Sequence, residues 1–379
     1  MLEPRVAIGS SSADVVSPGF SARLSGPEYS ATALSMPLCC TRRIGLAALS
    51  LKGGGSGGRD APISCVFLFT GEGAHSNGTD LASLQKSPSW DEVQNAVKQH
   101  VGHELEDFLK NHLGEHSAPS SPLVSTIINI LNGDRWRASG HKPMLVLGHS
   151  IGEVAAAYTA GLLTIDEAIR TASVLGHVGG ACKGAMVHVR MMREDIDSWL
   201  DDELRVAALN GVSAGEELSV TLCGPSERVD AMVAAHPDAK RLTPPHPWHH
   251  PMYLDIAGVA DCSAFADLPE GSLQPPEDAP TWLSATRPTV VLARVDASYW
   301  RLDAGYWKQW VSAPVDFHGA LIRAAALIDG DCYTIEMVRT GLTILAPGFF
   351  PLPKGLSVPP AIPKPDLLDS FPRRARIPR

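Results

Sequence analysis

Short apolar runs alternate with longer amphipathic stretches between about residue 62 and about residue 347 of the chain. The runs 63–69 and 144–147 have the length and apolar content of strands that are buried on both faces of a parallel sheet. The stretches 90–109, 122–131 and 152–161 predict helices. Strands that alternate with helices predict an α/β fold with a parallel sheet.

The pattern changes between residues 185 and 242. Strands are predicted at 187–191, 206–209, 218–223 and 240–242, and helices at 194–200 and 226–235. This β-α-β-β-α-β order is typical of the ferredoxin-like arrangement. We therefore predict a large α/β subdomain formed by 61–184 and 243–347, with a small ferredoxin-like subdomain inserted at 185–242.

The two ends of the chain differ in composition from the part between them. Residues 1–60 are rich in serine, lack a sustained hydrophobic period and close on the tract Gly-Gly-Gly-Ser-Gly-Gly at 53–58, which predicts a leader and a flexible linker. Arg42 and Arg43 are compatible with an organelle transit peptide, and a plain disordered extension is an equal alternative. Residues 348–379 contain eight prolines and predict a Pro-rich tail.

Composition excludes several classes of function. The formal net charge of −9 lacks the basic surplus of a nucleic-acid-binding protein. The seven cysteines show no Cys-x-x-Cys spacing, so we expect them to be reduced, with neither a disulfide framework nor a zinc site. Apolar runs such as 124–131 fall short of the roughly 20 residues of a membrane helix. We expect a soluble protein, cytoplasmic or, if residues 1–60 are a transit peptide, located in a plastid or mitochondrion.

A candidate nucleophile lies between the predicted strand 144–147 and the predicted helix 152–161. Residues 148–152 read Gly-His-Ser-Ile-Gly, which fits the Gly-x-Ser-x-Gly nucleophile elbow in its usual strand–turn–helix context. Ser150 would then lie at a helix N-terminus, where the Ile151 amide can stabilise an oxyanion. The alternative is a glycine-rich turn with an ordinary capping serine.

A serine nucleophile needs a base, which is most often histidine. His149 belongs to the elbow itself, and we expect it to point to the other side of the turn and to pack. His246, His249 and His250 cluster in a segment flanked by prolines, typical of a rigid loop. From the residues alone, a catalytic loop and a solvated surface loop remain equally open.

A wider set of motifs surrounds these residues. The chain reads Phe-Leu-Phe-Thr-Gly-Glu-Gly at 67–73, Gly-His-Ser-Ile-Gly-Glu at 148–153, Ala-Ala-Leu-Asn-Gly at 207–211, His-Pro-Trp-His at 246–249 and Pro-Val-Asp-Phe at 314–317. Over about residues 63–345 it thereby resembles the acyltransferase family that includes malonyl-CoA:acyl carrier protein transacylases and the acyltransferase domains of polyketide synthases. The resemblance implies an α/β-hydrolase-like large subdomain with an inserted ferredoxin-like small subdomain.

The resemblance also implies a role for individual residues. Ser150 corresponds to the nucleophile and His249 to the base, which the main-chain carbonyl of Trp310 would orient. The backbone amides of Glu72 and Ile151 would form the oxyanion hole. The mechanism implied is a ping-pong transfer from acyl-CoA to an acyl carrier protein, with no cofactor and no metal. The residues expected around the substrate are Ser121, His149, Leu175, Asn210, His246 and Trp248.

Two departures from the family pattern concern the substrate. Leu175 stands where malonyl-type members have an arginine for the free carboxylate, and Ser121 stands where a glutamine is usual. They favour an uncharged acyl group, unless another cation such as Arg170 or His177 reaches the site. Rival hypotheses are an α/β-hydrolase-type esterase or thioesterase with the same elbow, and a non-catalytic scaffold of this fold.

Overall fold

The computed structural model describes residues 64–75, 79–213, 215–268, 275–286, 302–328 and 332–338, and the backbone of 291–292. The predicted leader 1–60 and the predicted tail 348–379 lie outside these residues. The chain divides into two units, Met1–Asp60 and Ala61–Arg379, and all the elements given below belong to the second unit.

Helices and strands alternate along most of the described chain. The helices are α1 (Leu81–Leu84), α2 (Trp90–Val101), α3 (Leu105–His112), α4 (Ser120–Ala138), α5 (Gly152–Thr159), α6 (Ile165–Ala181), α7 (Arg193–Trp199), α8 (Ser226–Ala235), α9 (Ala304–Ser312) and α10 (Phe317–Ala326). The strands are β1 (Ser64–Phe69), β2 (Pro143–Gly148), β3 (Ala185–Met191), β4 (Arg205–Val212), β5 (Leu218–Gly224), β6 (Lys240–Arg241), β7 (Thr281–Leu283), β8 (Val291–Leu292), β9 (Val315–Asp316) and β10 (Cys332–Glu336).

The first sheet has the strand order β10-β1-β2-β7-β8 and is parallel except for the last pair. Its side chains alternate between two apolar layers: Phe67 and Val146 join the layer that contains α4, α5 and α6, whereas Leu68 and Leu145 join the layer that contains α10. Phe69 pairs with Gly148, so β1 and β2 end side by side. The loops that follow these two strands therefore meet at one edge of the sheet.

The second sheet has the order β6-β3-β5-β4-β9. Its first four strands are antiparallel, and Ile196 of α7 and Met232 of α8 pack with their valines in a separate apolar cluster. This arrangement confirms the predicted α/β class with a ferredoxin-like second sheet. The short strand β9, which lies far along the chain from the others, pairs with β4 in parallel.

Two helix predictions needed correction. The stretch 90–109 forms two helices, because Gly102 takes a left-handed conformation with φ of 79° and ends α2. The predicted helix 122–131 extends in both directions to form α4. Asn129 and Asp134, two of its buried polar residues, have hydrogen-bond partners inside the protein and so do not mark the helix ends.

Helix α6 was missed, although Thr164 and Glu167 form a capping box at its start. None of the helices described is long and apolar enough to cross a membrane.

Candidate active site

Ser150 lies in a sharp turn between β2 and α5. Its φ is 51°, a left-handed value that is uncommon for a residue with a side chain. The glycines on either side leave no room for a side chain. A Cβ on Gly148 would lie 2.3 Å from the Glu153 nitrogen, and one on Gly152 would lie 2.3 Å from the Phe69 oxygen. The turn therefore has the tight geometry expected of a nucleophile elbow.

The hydroxyl of Ser150 faces His249. Ser150 Oγ lies 2.8 Å from His249 Nε2, and His249 Nδ1 lies 2.8 Å from the main-chain oxygen of Trp310. A carbonyl oxygen only accepts, so Nδ1 carries the proton and Nε2 is left as an acceptor. This tautomer is the one that can remove the proton of Ser150.

Burial keeps the ring of His249 neutral. The side chain is 3% exposed, and burial lowers the pKa of His249 to about 4 against a smaller opposing effect of the Trp310 hydrogen bond. The ring contacts Trp310 edge to face, with centroids 4.9 Å apart. At neutral pH His249 is therefore a neutral imidazole whose Nε2 can accept the proton of the hydroxyl.

The neighbouring histidines have other partners. The amide of Ala118 donates to His246 Nε2 at 2.9 Å, and His246 Nδ1 donates to the oxygen of Cys182 at 3.0 Å. His250 contacts the oxygen of Glu203 through Nε2 at 3.0 Å. His246 thus joins the segment before α4 to the end of α6, and His249 is the member of the cluster that contacts Ser150.

His149 faces the second sheet. Its Nε2 lies 2.8 Å from Asn210 Oδ1, and Asn210 Nδ2 donates to Thr221 Oγ1 at 3.2 Å. Its ring also contacts Phe317 edge to face. The structure thus brings His149 and Asn210, two of the residues predicted around the substrate, into direct contact with each other.

The loop after β1 lies directly against the elbow. A Cβ on Gly71 would be 3.2 Å from the oxygen of His149 and 3.5 Å from Ser150 Cβ. Within the described part of the chain, the backbone amides of Glu72 and Ile151 donate no hydrogen bond to a backbone oxygen. Both amides are thus available to an oxyanion, as the resemblance implies.

A polar stripe on α4 holds this loop. Asn129 accepts from the Thr70 amide at 3.2 Å and donates to the Thr70 oxygen at 3.0 Å, and Ser125 contacts His75 Nδ1 at 2.9 Å. Sequence reasoning missed these residues. The available signal was a polar residue at every fourth position of an apolar helix, from Ser121 through Ser125 to Asn129.

Leu175 and Ser121 are both fully buried. A Cβ on Gly176, the residue after Leu175, would lie 2.3 Å from the oxygen of Pro119, so this part of α6 packs closely on the segment that leads into α4. Ser121 follows Pro119 by two positions. The two departures from the family pattern therefore lie on neighbouring helices in one packed region.

Trp248 fills the space one turn farther along α6. A Cβ on Gly179 would come within 2.1 Å of the Trp248 indole, and this indole stacks on Tyr253 with centroids 5.6 Å apart. Neither suggested substitute cation lies beside Leu175 on α6. His177 is exposed and contacts the oxygen of Ser173, and Arg170 lies about 140° around the helix from Leu175.

Glu153 is a buried carboxylate that sequence reasoning treated only as part of a motif. It lies at the start of α5, and the amides of Ala285 and Thr286 donate to it at 2.7 and 2.9 Å. The hydroxyls of Ser284 and Tyr306 also contact it. Its partners lie far along the chain, so no local pattern reveals them.

A model of the acyl transferase domain family matches residues 66–335. A highly reducing polyketide synthase, g433, from Fusarium sp. is 30% identical over 291 residues, which cover 70% of this chain and 11% of that protein. The chain thus spans about a tenth of the length of this curated relative.

Solved structures show the same fold. The acyltransferase domain from module 8 of the salinomycin polyketide synthase has a TM-score of 0.60 at 26% identity, with 74% of this chain and 66% of that chain covered. The malonyl-CoA:ACP transacylase of Synechocystis sp. has a TM-score of 0.60 at 17% identity, with 82% and 100% covered.

Proposed function

The chain belongs to the acyl transferase domain family, and from this premise we propose that it transfers an acyl group from acyl-CoA to the thiol of an acyl carrier protein through an acyl ester of Ser150. The observation that carries the proposal is the relay of two 2.8 Å contacts from Ser150 through His249 to the Trp310 carbonyl. It supplies a nucleophile, a base and a group that fixes the tautomer of the base.

The first half-reaction forms the ester. His249 Nε2 takes the proton of Ser150 as Oγ attacks the thioester carbon, and the amides of Glu72 and Ile151 receive the developing oxyanion. When the carbon–sulfur bond breaks, the imidazolium returns the proton to the departing sulfur, and coenzyme A leaves as a thiol.

The second half-reaction reverses these steps with a different thiol. The carrier-protein thiol gives its proton to His249 and attacks the ester, and Ser150 recovers a proton as the product thioester leaves. The transferred group arrives and leaves as a thioester, so the proposed reaction has no step that calls for a cofactor or a metal.

The proposed acyl group is uncharged. Leu175 and Ser121 lie in the packed region beside Trp248, and neither supplies the positive charge that would pair with a free carboxylate. We therefore propose that acetyl or a longer uncharged chain is preferred over malonyl.

Intact-protein mass measured after mixing with a panel of acyl-CoAs tests the proposal. Wild-type chain should gain the mass of an acyl group and lose it to a carrier-protein thiol, and Ser150→Ala should gain none. Ser219→Ala is a matched control, because Ser219 also contacts a histidine, His188, but lies in the second sheet away from the elbow, and should leave the adduct in place. An adduct that persists on Ser150→Ala would refute the assignment.

The role of His249 has its own readout. His249→Ala should slow acylation by roughly 10²-fold or more, the usual scale for a general base. A serine-reactive fluorophosphonate should label Ser150 in the wild type and fail to label the His249→Ala chain. An adduct that water removes faster than a carrier-protein thiol does would favour the esterase alternative.

A further inference from the structure

Glu72 lies in the loop that packs on the elbow, and its side chain contacts the residue that precedes the candidate base. Gly71, its neighbour, is the residue whose Cβ would lie 3.5 Å from Ser150 Cβ. The carboxylate of Glu72 accepts a hydrogen bond from the Trp248 indole through Oε2, and Trp248 directly precedes His249. A carboxylate is thus held between the oxyanion loop and the histidine segment.

The carboxylate is only partly satisfied. Its second oxygen, Oε1, is buried and completes no hydrogen bond among the described residues, and the same holds for the hydroxyl of Ser121. Ser121 lies near enough to favour the charged form of Glu72. A buried carboxylate oxygen without a donor is costly, so its presence in the loop that packs on the elbow requires a physical explanation.

The surroundings of Glu72 stabilise its ionised form only weakly. Burial raises the pKa of Glu72 to about 7, because desolvation outweighs the opposing effects of the nearby Ser121 hydroxyl and of the Trp248 hydrogen bond. Tyr253 is a titratable group that faces it, and burial raises the pKa of this phenol far above its ordinary range, so Tyr253 stays neutral. His249, which follows Trp248, is neutral as well because burial lowers its pKa to about 4. The other neighbours, Ser121 and Trp248, do not titrate.

We propose that Glu72 determines the acyl specificity of the transferase: its carboxylate excludes acyl groups that end in a carboxylate and leaves neutral acyl groups as substrates. The inference rests on the transfer reaction proposed above and adds a second cause of selectivity. Leu175 withholds a positive charge from the substrate, whereas Glu72 presents a negative one. Like charges brought together in a partly desolvated site disfavour binding.

The two causes differ in their response to pH. The effect of Leu175, which is the absence of a positive charge, is the same at every pH. Glu72 gains a proton as the pH falls through about 7, and the protonated carboxyl can donate a hydrogen bond to a substrate carboxylate. The ratio of malonyl to acetyl loading should therefore rise as the pH falls, while His249, with its pKa of about 4, stays neutral and serves both substrates alike.

A competition experiment tests this inference. Equal amounts of acetyl-CoA and malonyl-CoA are mixed with the chain, and the adduct masses give the loading ratio between about pH 8 and about pH 6. The wild-type ratio should shift toward malonyl at the lower pH. Glu72→Gln should raise the malonyl share by about tenfold at the higher pH and remove the pH dependence. Glu106→Gln, which removes an exposed carboxylate on α3, should behave as the wild type.

The outcomes separate the two proposals. If the malonyl-to-acetyl loading ratio of the wild type does not depend on pH, the inference is overturned and the transfer reaction stands. This measurement uses the wild-type chain alone, so it does not depend on whether a variant folds. Equal loading ratios in the wild type and in Glu72→Gln would likewise overturn the inference and leave the transfer reaction standing. A wild-type chain that forms no adduct with either acyl-CoA overturns the transfer reaction and the inference with it.

Discussion

The backbone amide of Ala285 donates a 2.7 Å hydrogen bond to the carboxylate of Glu153, across 132 positions of the chain. Glu153 begins the helix that follows Ser150 and is fully buried. The amide of Thr286 and the hydroxyl of Tyr306 donate to the same carboxylate. One side chain therefore ties the elbow helix α5 to the chain that follows β7 and to α9.

We predict that Glu153→Gln destabilises the fold. Glutamine keeps one acceptor oxygen but places an NH₂ group among donors, so that at least one buried hydrogen bond is lost. The free energy of unfolding should fall by about 2–4 kcal/mol, measured by denaturant titration. Glu106→Gln, whose partner is the exposed Lys110, should change it by less than about 1 kcal/mol. Equal stability of the two variants would contradict the structural role of Glu153.

A second prediction concerns acid sensitivity. Burial lowers the pKa of His75 to about 4, whereas in the unfolded chain the ring takes up its proton near 6.5. Between these values the unfolded state binds more protons than the folded state, so the contribution of His75 to stability is lost as the pH falls. It amounts to about 3 kcal/mol over the whole window.

His75→Gln should remove this contribution. Denaturant unfolding at a series of pH values should give curves for wild type and variant that converge by up to about 3 kcal/mol as the pH falls from about 6.5 to about 4. The raised pKa of Glu72 acts in the opposite direction, but it is present in both chains and cancels in the comparison. Parallel curves would show that His75 does not titrate in this way.

The local part of the candidate site could be predicted from the sequence. The elbow needs a residue without a side chain at 148 and at 152, and the structure shows the backbone contacts that impose this. Such constraints act between residues close in sequence, so they leave a readable pattern. The ferredoxin-like order was readable for the same reason, since each strand and helix of that segment has its own period.

The remaining relationships depend on contacts between distant segments. His246 and His249 are alike in local sequence, and their different partners, Ala118 and Ser150, are fixed only by the fold. Glu72 and Trp248 lie 176 positions apart, and their contact has no local signal. The family resemblance supplied the choice of His249, whereas the contact of the Glu72 carboxylate with Trp248 became visible only in the structure.

A third prediction concerns the first 60 residues, which lie outside the described part of the chain. They lack the hydrophobic period of a segment that joins a core, so their deletion should leave transfer intact. Loading and transfer by the truncated chain, compared with the full chain at equal concentration, give the measurement. Failure of the truncated chain to fold would refute the prediction of a leader and linker. A fusion of residues 1–60 to a reporter tests import into an organelle separately.

The last prediction concerns Leu175. The wild type should load acetyl in preference to malonyl, because a buried carboxylate without a cation costs several kcal/mol, equivalent to at least about a hundredfold in specificity. Leu175→Arg should raise the ratio of malonyl to acetyl, since a guanidinium can pair with the carboxylate in bidentate geometry. Leu175→Met, similar in volume but uncharged, should not change the ratio.

The size of this effect should depend on Glu72. We expect a guanidinium introduced at 175 to engage the Glu72 carboxylate before the substrate binds, because α6 packs here on the segment that leads to Ser121, and Ser121 lies near Glu72. The gain from Leu175→Arg should therefore be larger in a Glu72→Gln background than in the wild type, and the four loading ratios of this double-mutant cycle measure the coupling. Equal gains in both backgrounds would show that the two positions act independently. A wild-type chain that loads malonyl faster than acetyl would refute the preference and would require a cation from another part of the chain.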